Sequence, residues 1–211
     1  MLTLYFTNTN TLRDADMARA LDTFPIDMRN KIVAYQAVQE QKLRVCGKLL
    51  LGKLLSGLGA FSLQDIQYNN WGRPFVSGHI DFNLSHSGDI AICAATNKGK
   101  VGVDIEHVKQ ADITLFKGYF TSNEWRIIET SEYKLWGFYK MWARKEALMK
   151  AVGKGVFMQP GDVDVAFDEV HCENRMYYVK DIFVLPGYAA AIACDAPIGQ
   201  MDMKELAASH F

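Results

Sequence analysis

No CxxC pair occurs in this 211-residue chain. Its four cysteines, Cys46, Cys93, Cys172 and Cys194, stand far apart, which argues against a zinc site. A P-loop is also missing. Gly153-Lys154-Gly155 lacks the long glycine loop and the trailing Ser or Thr, and reads as a helix cap instead. There is no Rossmann fingerprint, no low-complexity segment and no apolar run long enough to span a bilayer. The opening Met1 to Phe6 has neither the basic start nor the length of a signal peptide. A reducing cytoplasm without membrane attachment is therefore expected. Excess charge is lacking as well: 23 basic and 24 acidic residues leave a net charge of -1, which argues against a dedicated nucleic-acid binder. What remains is a chain that is 49% hydrophobic, enough to bury the core of one large domain or two small ones.

The pattern of elements is mixed. Leu2 to Thr7 is aromatic and β-branched and predicts a strand. Arg13 to about Ser56 reads as helical, with Leu43, Cys46, Leu49, Leu50, Leu54 and Leu55 near the helical period and Gly57 and Gly59 ending it. After a turn cluster at Asn69 to Pro74, strands are expected at Phe82–Ser85 and Ile90–Ala94, with the polar loop His86 to Asp89 between them. Val101 to Glu106 predicts a third strand, and the polar stretch His107 to Thr114 joins two halves. A helix is expected from about Tyr133 to Val152, closed by the Gly153 to Gly155 cap. Strands are then expected near Val163 to Phe167, Met176 to Val184 and Tyr188 to Cys194. Gly88 to Ala94 resembles Gly187 to Cys194, and each follows a long helix ending in glycines, which suggests an internal duplication. Two similar halves would enclose a cleft, a common place for a ligand.

Three stretches carry candidate chemistry. In Val101-Gly102-Val103-Asp104-Ile105-Glu106 the alternation of a strand puts Asp104 and Glu106 on one face and Val103 and Ile105 on the other. Paired carboxylates repel unless a cation or proton intervenes, and hard oxygen ligands suit magnesium. Taken alone, the hexapeptide equally describes a strand with one solvated face. In Trp142 to Lys150, Glu146 and Lys150 share a helix face, as an ordinary surface pair also would. Trp142, Leu148 and Met149 read as core. In Phe82 to Gly88, a Ser85-His86-Ser87-Gly88 turn offers a hydroxyl, an imidazole and backbone N–H groups to an anion. Adjacent residues rarely make a catalytic serine–histidine pair. Arg73 lies upstream between Gly72 and Pro74, and arginine suits phosphate. Arg44 and Lys31 are further basic candidates.

Together, and in this order, Gly72-Arg73-Pro74, FNLSHSG (Phe82 to Gly88), VGVDIE (Val101 to Glu106) and WARKEALMK (Trp142 to Lys150) closely resemble the Sfp-type 4′-phosphopantetheinyl transferases. The resemblance implies an α+β pseudo-dimer, each half a long helix on a small sheet, with residues 1–108 and 109–211 as the halves. It implies coenzyme A as co-substrate in the cleft and an apo acyl or peptidyl carrier protein as the partner whose serine receives the phosphopantetheine arm. Asp104, Glu106 and Glu146 match the family's magnesium ligands. Arg73, Ser85 and His86 match positions that contact coenzyme A phosphates, and Arg44 matches an arginine that helps bind the 3′-phosphate. Asp104 is counted with this coenzyme A set. Lys150 matches the lysine that supports the pyrophosphate, and Glu146 is the candidate base. Glu124 matches a recurrent family glutamate, for which a structural role is expected. A monomer is expected. The rival readings are a non-catalytic coenzyme A- or carrier-binding module and a magnesium-dependent hydrolase of a nucleotide or pyrophosphate.

Overall fold

The computed structural model describes residues 1–59, 61–154 and 158–208. Gly155, expected in the cap of the second long helix, lies outside them. The elements run β1 (Leu2–Asn8), α1 (Asp14–Thr23), α2 (Ile26–Val33), α3 (Val38–Leu58), β2 (Gln67–Tyr68), β3 (Pro74–Phe75), β4 (Asp81–Ser87), β5 (Ile90–Thr96) and β6 (Val101–His107). They continue with α4 (Ser122–Thr130), α5 (Lys134–Val152), β7 (Glu169–Cys172), β8 (Arg175–Ile182), β9 (Tyr188–Cys194) and β10 (Met201–Glu205). Two four-stranded sheets form, in the orders β10-β1-β5-β4 and β6-β9-β8-β7, beside the short β2-β3 ribbon.

Alternation along the strands builds four layers. Leu2, Leu4, Phe6, Ile90, Ile92 and Ala94 of the first sheet meet Val101, Val103, Ile105, Ala190, Ile192 and Cys194 of the second in a shared central core. The other faces carry small residues. Ala91, Cys93 and Ala95 take Leu50, Leu51, Leu54 and Leu55 of α3, while Ala191 and Ala193 take Ala143, Ala147, Leu148 and Ala151 of α5. The fold is α+β with two similar halves: β1-α3-β4-β5 and β6-α5-β8-β9 follow one plan. The look-alike runs fall on β5 and β9, each the inner strand on which its long helix packs. By sheet membership the halves part in the turn between Thr96 and Val101. The division drawn after residue 108 from the sequence instead leaves β6 with the first half. The last strand, β10, returns to pair parallel with β1, so the edge of the first sheet is completed by the end of the chain.

Four details differ from the sequence reading. The long helical stretch breaks into three helices. Pro25 starts α2 because it cannot donate within a continuing helix, and Ala34 to Ala37 separate α2 from α3. His86 and Ser87 are not in a loop. They complete β4, opposite Ala91 and Ile90, and only Gly88-Asp89 form the turn, with Gly88 at φ +55°. Residues 163–167 form no strand, because their backbone groups go to side chains: Val165 N–H donates to Glu124 Oε1 (2.8 Å) and Val165 C=O accepts from Arg144 Nε (2.7 Å). Leu148 is core as expected, but Trp142 and Met149 are half-buried and line a cavity.

Candidate active site

The two sheets meet edge to edge at β4 and β6, and side chains replace the missing ladder. Every second residue of β4 reaches across. Asp81 Oδ2 accepts from Val101 N–H (2.8 Å), Asn83 Oδ1 from Val103 N–H (3.0 Å) and Ser87 Oγ from His107 N–H (3.0 Å). Ser85, the third of these four residues, instead donates to Asp104 Oδ1 (2.8 Å). This zipper fixes the register of β6 and satisfies N–H groups that an unpaired edge would leave buried.

Gly102, Asp104 and Glu106 then face α5. A Cβ at position 102 would lie 2.0 Å from Ala147 C=O and 2.4 Å from Ala151 N, so only glycine lets helix and strand approach this closely. The close packing brings Lys150 Nζ to 2.5 Å from Asp104 Oδ1 and 3.0 Å from Ser85 Oγ. Ser87 Oγ donates to Glu106 Oε2 (3.0 Å). Between the halves opens a cleft with two lobes that share Glu146 and Lys150. One, of about 400 Å³, is lined by Ser85, His86, Asp104, Glu106 and Trp142. The other, of about 330 Å³, is lined by Trp71, Arg73, Asn83 and Met149.

The electrostatics of the first lobe are unbalanced toward negative charge. Burial, and then the neighbouring Asp104 charge, push the Glu106 carboxyl up to about 7. The same two causes raise Glu146. His86 is lowered by burial, then by the nearby Arg44 charge, which favours the neutral imidazole. Asp104 is 3% exposed, yet its Oδ2 has no hydrogen-bond partner. Among the described residues no group of three or more His, Cys, Asp or Glu side chains forms a ready-made metal cage. Magnesium needs none: it takes one or two carboxylates and fills its shell with water and phosphate oxygens. An orphaned buried carboxylate oxygen, with two more carboxylates around one cavity, fits that donor set.

Seven of the eight residues expected from the sequence line this cleft. Arg73 does so with a second task. Its Nη2 donates to Asp81 Oδ2 (2.6 Å) and to Val101 C=O (2.9 Å), while its buried Nη1 has no partner. Arg44 lines neither lobe. It stacks on the Tyr35 ring at 3.8 Å and pairs with Glu40 at 3.5 Å, and its buried Nε has no partner. Lys31 sits over the Tyr68 ring. Asn83, which lines the second lobe and accepts from Val103 N–H, and Ser87, which donates to Glu106, were not assigned a role from the sequence.

The family model of the 4′-phosphopantetheinyl transferase superfamily matches residues 100–191. The chain is 32% identical over 136 residues to "4′-phosphopantetheinyl transferase gsp" of Aneurinibacillus migulanus, covering 63% of this chain and 57% of that protein. It is 26% identical over 191 residues to "4′-phosphopantetheinyl transferase Sfp" of Bacillus subtilis (strain 168), covering 81% of this chain and 82% of that protein. Against a holo-[acyl-carrier-protein] synthase structure from Thermotoga maritima the TM-score is 0.35 at 18% identity, over 44% of this chain and 61% of that one.

Proposed function

We propose that this chain, whose residues 100–191 match the 4′-phosphopantetheinyl transferase superfamily, moves the 4′-phosphopantetheine arm of coenzyme A onto a serine of an apo acyl or peptidyl carrier protein. The observation that supports this most is the grouping of Asp104, Glu106, Glu146 and Lys150 with Ser85 and His86 around one cavity between the halves. A pure binding module has no need of three carboxylates and a lysine at one point.

In this reading the carrier's hydroxyl oxygen attacks the β-phosphorus of coenzyme A. The bond from that phosphorus to the bridging oxygen breaks, and 3′,5′-ADP leaves with the electron pair. Asp104, Glu106 and Glu146 would hold a magnesium ion. Bound there, magnesium supplies positive charge to the phosphate oxygens. Lys150 sits where its ammonium can do the same for the pyrophosphate. Arg73 Nη1, Ser85 and neutral His86 orient the phosphates, with Arg44 toward the 3′-phosphate. Glu146 takes the hydroxyl proton, directly or through a water molecule. Both sides of the cleft come from one chain, so a monomer suffices. Four free, buried cysteines suit a reducing cytoplasm, and among the described residues no helix is long and apolar enough to cross a membrane.

The test is chromatographic detection of 3′,5′-ADP. Release that needs an apo carrier, and stops when the carrier serine is replaced by alanine, is expected. Release without any carrier would replace this reading with a pyrophosphate hydrolase.

A further inference from the structure

Arg144, Lys145 and Glu146 are consecutive charged residues whose side chains meet three different environments. Glu146 faces the cleft. Lys145 is 2% exposed and buried against α4, with Nζ 2.9 Å from Glu124 Oε2. Its other two donors go to Pro160 C=O and Val163 C=O, each at 2.7 Å, so all three ammonium N–H groups are used. Glu124 is 0% exposed and equally satisfied. Its Oε2 also accepts from Thr121 N–H (2.7 Å), closing the capping box of α4, and its Oε1 accepts from Val165 N–H. Arg144 holds the same segment farther along, at Val165 C=O and Phe167 C=O.

The helix geometry gives this network a consequence for the site. Successive residues turn by about 100°, so Lys145 and Ala147 flank Glu146 on opposite sides. The Ala147 flank is seated on Gly102 of β6. The Lys145 flank is pinned to α4 and the 160–165 segment. The rotation of α5 about its own axis is thereby fixed from both sides of Glu146. We infer that the buried Lys145–Glu124 pair is a positioning device for the transfer reaction: it holds α5 so that Glu146 meets Asp104 and Glu106 across the cleft. The inference rests on the transferase reading given above. It explains why a charged pair is kept in a dry site where apolar residues of equal volume would cost no stability.

The test is the double variant Glu124→Gln/Lys145→Met, which leaves no unpaired buried charge and so avoids the main cause of unfolding. Near-ultraviolet circular dichroism first verifies the native fold. Calorimetric titration with magnesium alone then reads the carboxylate geometry without requiring turnover. Weakened magnesium affinity, a kcat lowered by about 10- to 100-fold and a KM for coenzyme A within about two-fold of the parent are expected, the loss that a displacement of about 1 Å produces. A folded double variant with parental magnesium affinity and kcat would overturn the inference and leave the transferase reading standing. If the double variant does not fold, Glu124→Asp decides, because it keeps the charge and shortens the reach by one methylene. A lowered kcat with an unchanged KM supports positioning, and a parental kcat refutes it. Failure of the transferase reading would look different: the parent itself would transfer nothing.

Discussion

At the scale of single residues, Glu106 ties the site to pH. Its carboxyl is raised from 4.5 to about 7 by burial and by Asp104, against the opposing hydrogen bond from Ser87. The folded protein therefore keeps a proton that a glutamate of the unfolded chain gives up near 4.5. The stability this contributes is fully present below about pH 4.5 and is lost as pH rises through about 7. In EDTA, the thermal midpoint is expected to fall more between pH 5 and pH 8 for the parent than for Glu106→Gln. Equal slopes would show that Glu106 does not titrate in that window. Magnesium affinity should change in the opposite sense, rising with pH as the carboxyls deprotonate.

At the scale of elements, one glycine sets the distance between the carboxylate strand and the helix that completes the site. Gly102→Ala places a methyl group against the backbone of α5, which cannot rotate out of the way. A loss of about 3 kcal/mol, with reduced magnesium affinity in whatever remains folded, is expected from denaturant unfolding and calorimetry. Unchanged stability would mean that α5 does not lie this close to β6. The role of Gly102 was not legible in the sequence, where it stands as one small residue in a β-branched strand. The alternation around it was legible: Val103 and Ile105 are fully buried, and Asp104 and Glu106 share the face toward α5. Period-two patterning reports which way side chains point, but not which distant strand is the neighbour, so the pairing of β6 with β9 and the return of β10 to β1 could not be read. Residues 163–167 misled for a related reason. Their composition suits a strand, but Glu124, Arg144 and Lys145 take the hydrogen bonds that a ladder would use. The charged run at 144–146 hid its division of labour, because helical spacing cannot tell a buried, fully bonded lysine from a solvated one.

At the scale of the whole molecule, the two halves are joined by the β4–β6 zipper, the central core between the sheets and the parallel β1–β10 pair. The cleft they enclose takes Arg73 and Ser85 from one sheet's side and Asp104, Glu106, Glu146 and Lys150 from the other. Separating the halves would dismantle the site, and the proposed reaction belongs to the molecule as a unit. The measurement that tests it most directly is the intact mass of an apo carrier protein after incubation with coenzyme A, magnesium and this protein. The account predicts a gain of one phosphopantetheine unit that disappears with EDTA, with a serine-to-alanine carrier and with a folded Glu146→Ala variant. Several carrier types left unmodified by a protein that binds coenzyme A would contradict it, as would near-parental transfer by Glu146→Ala.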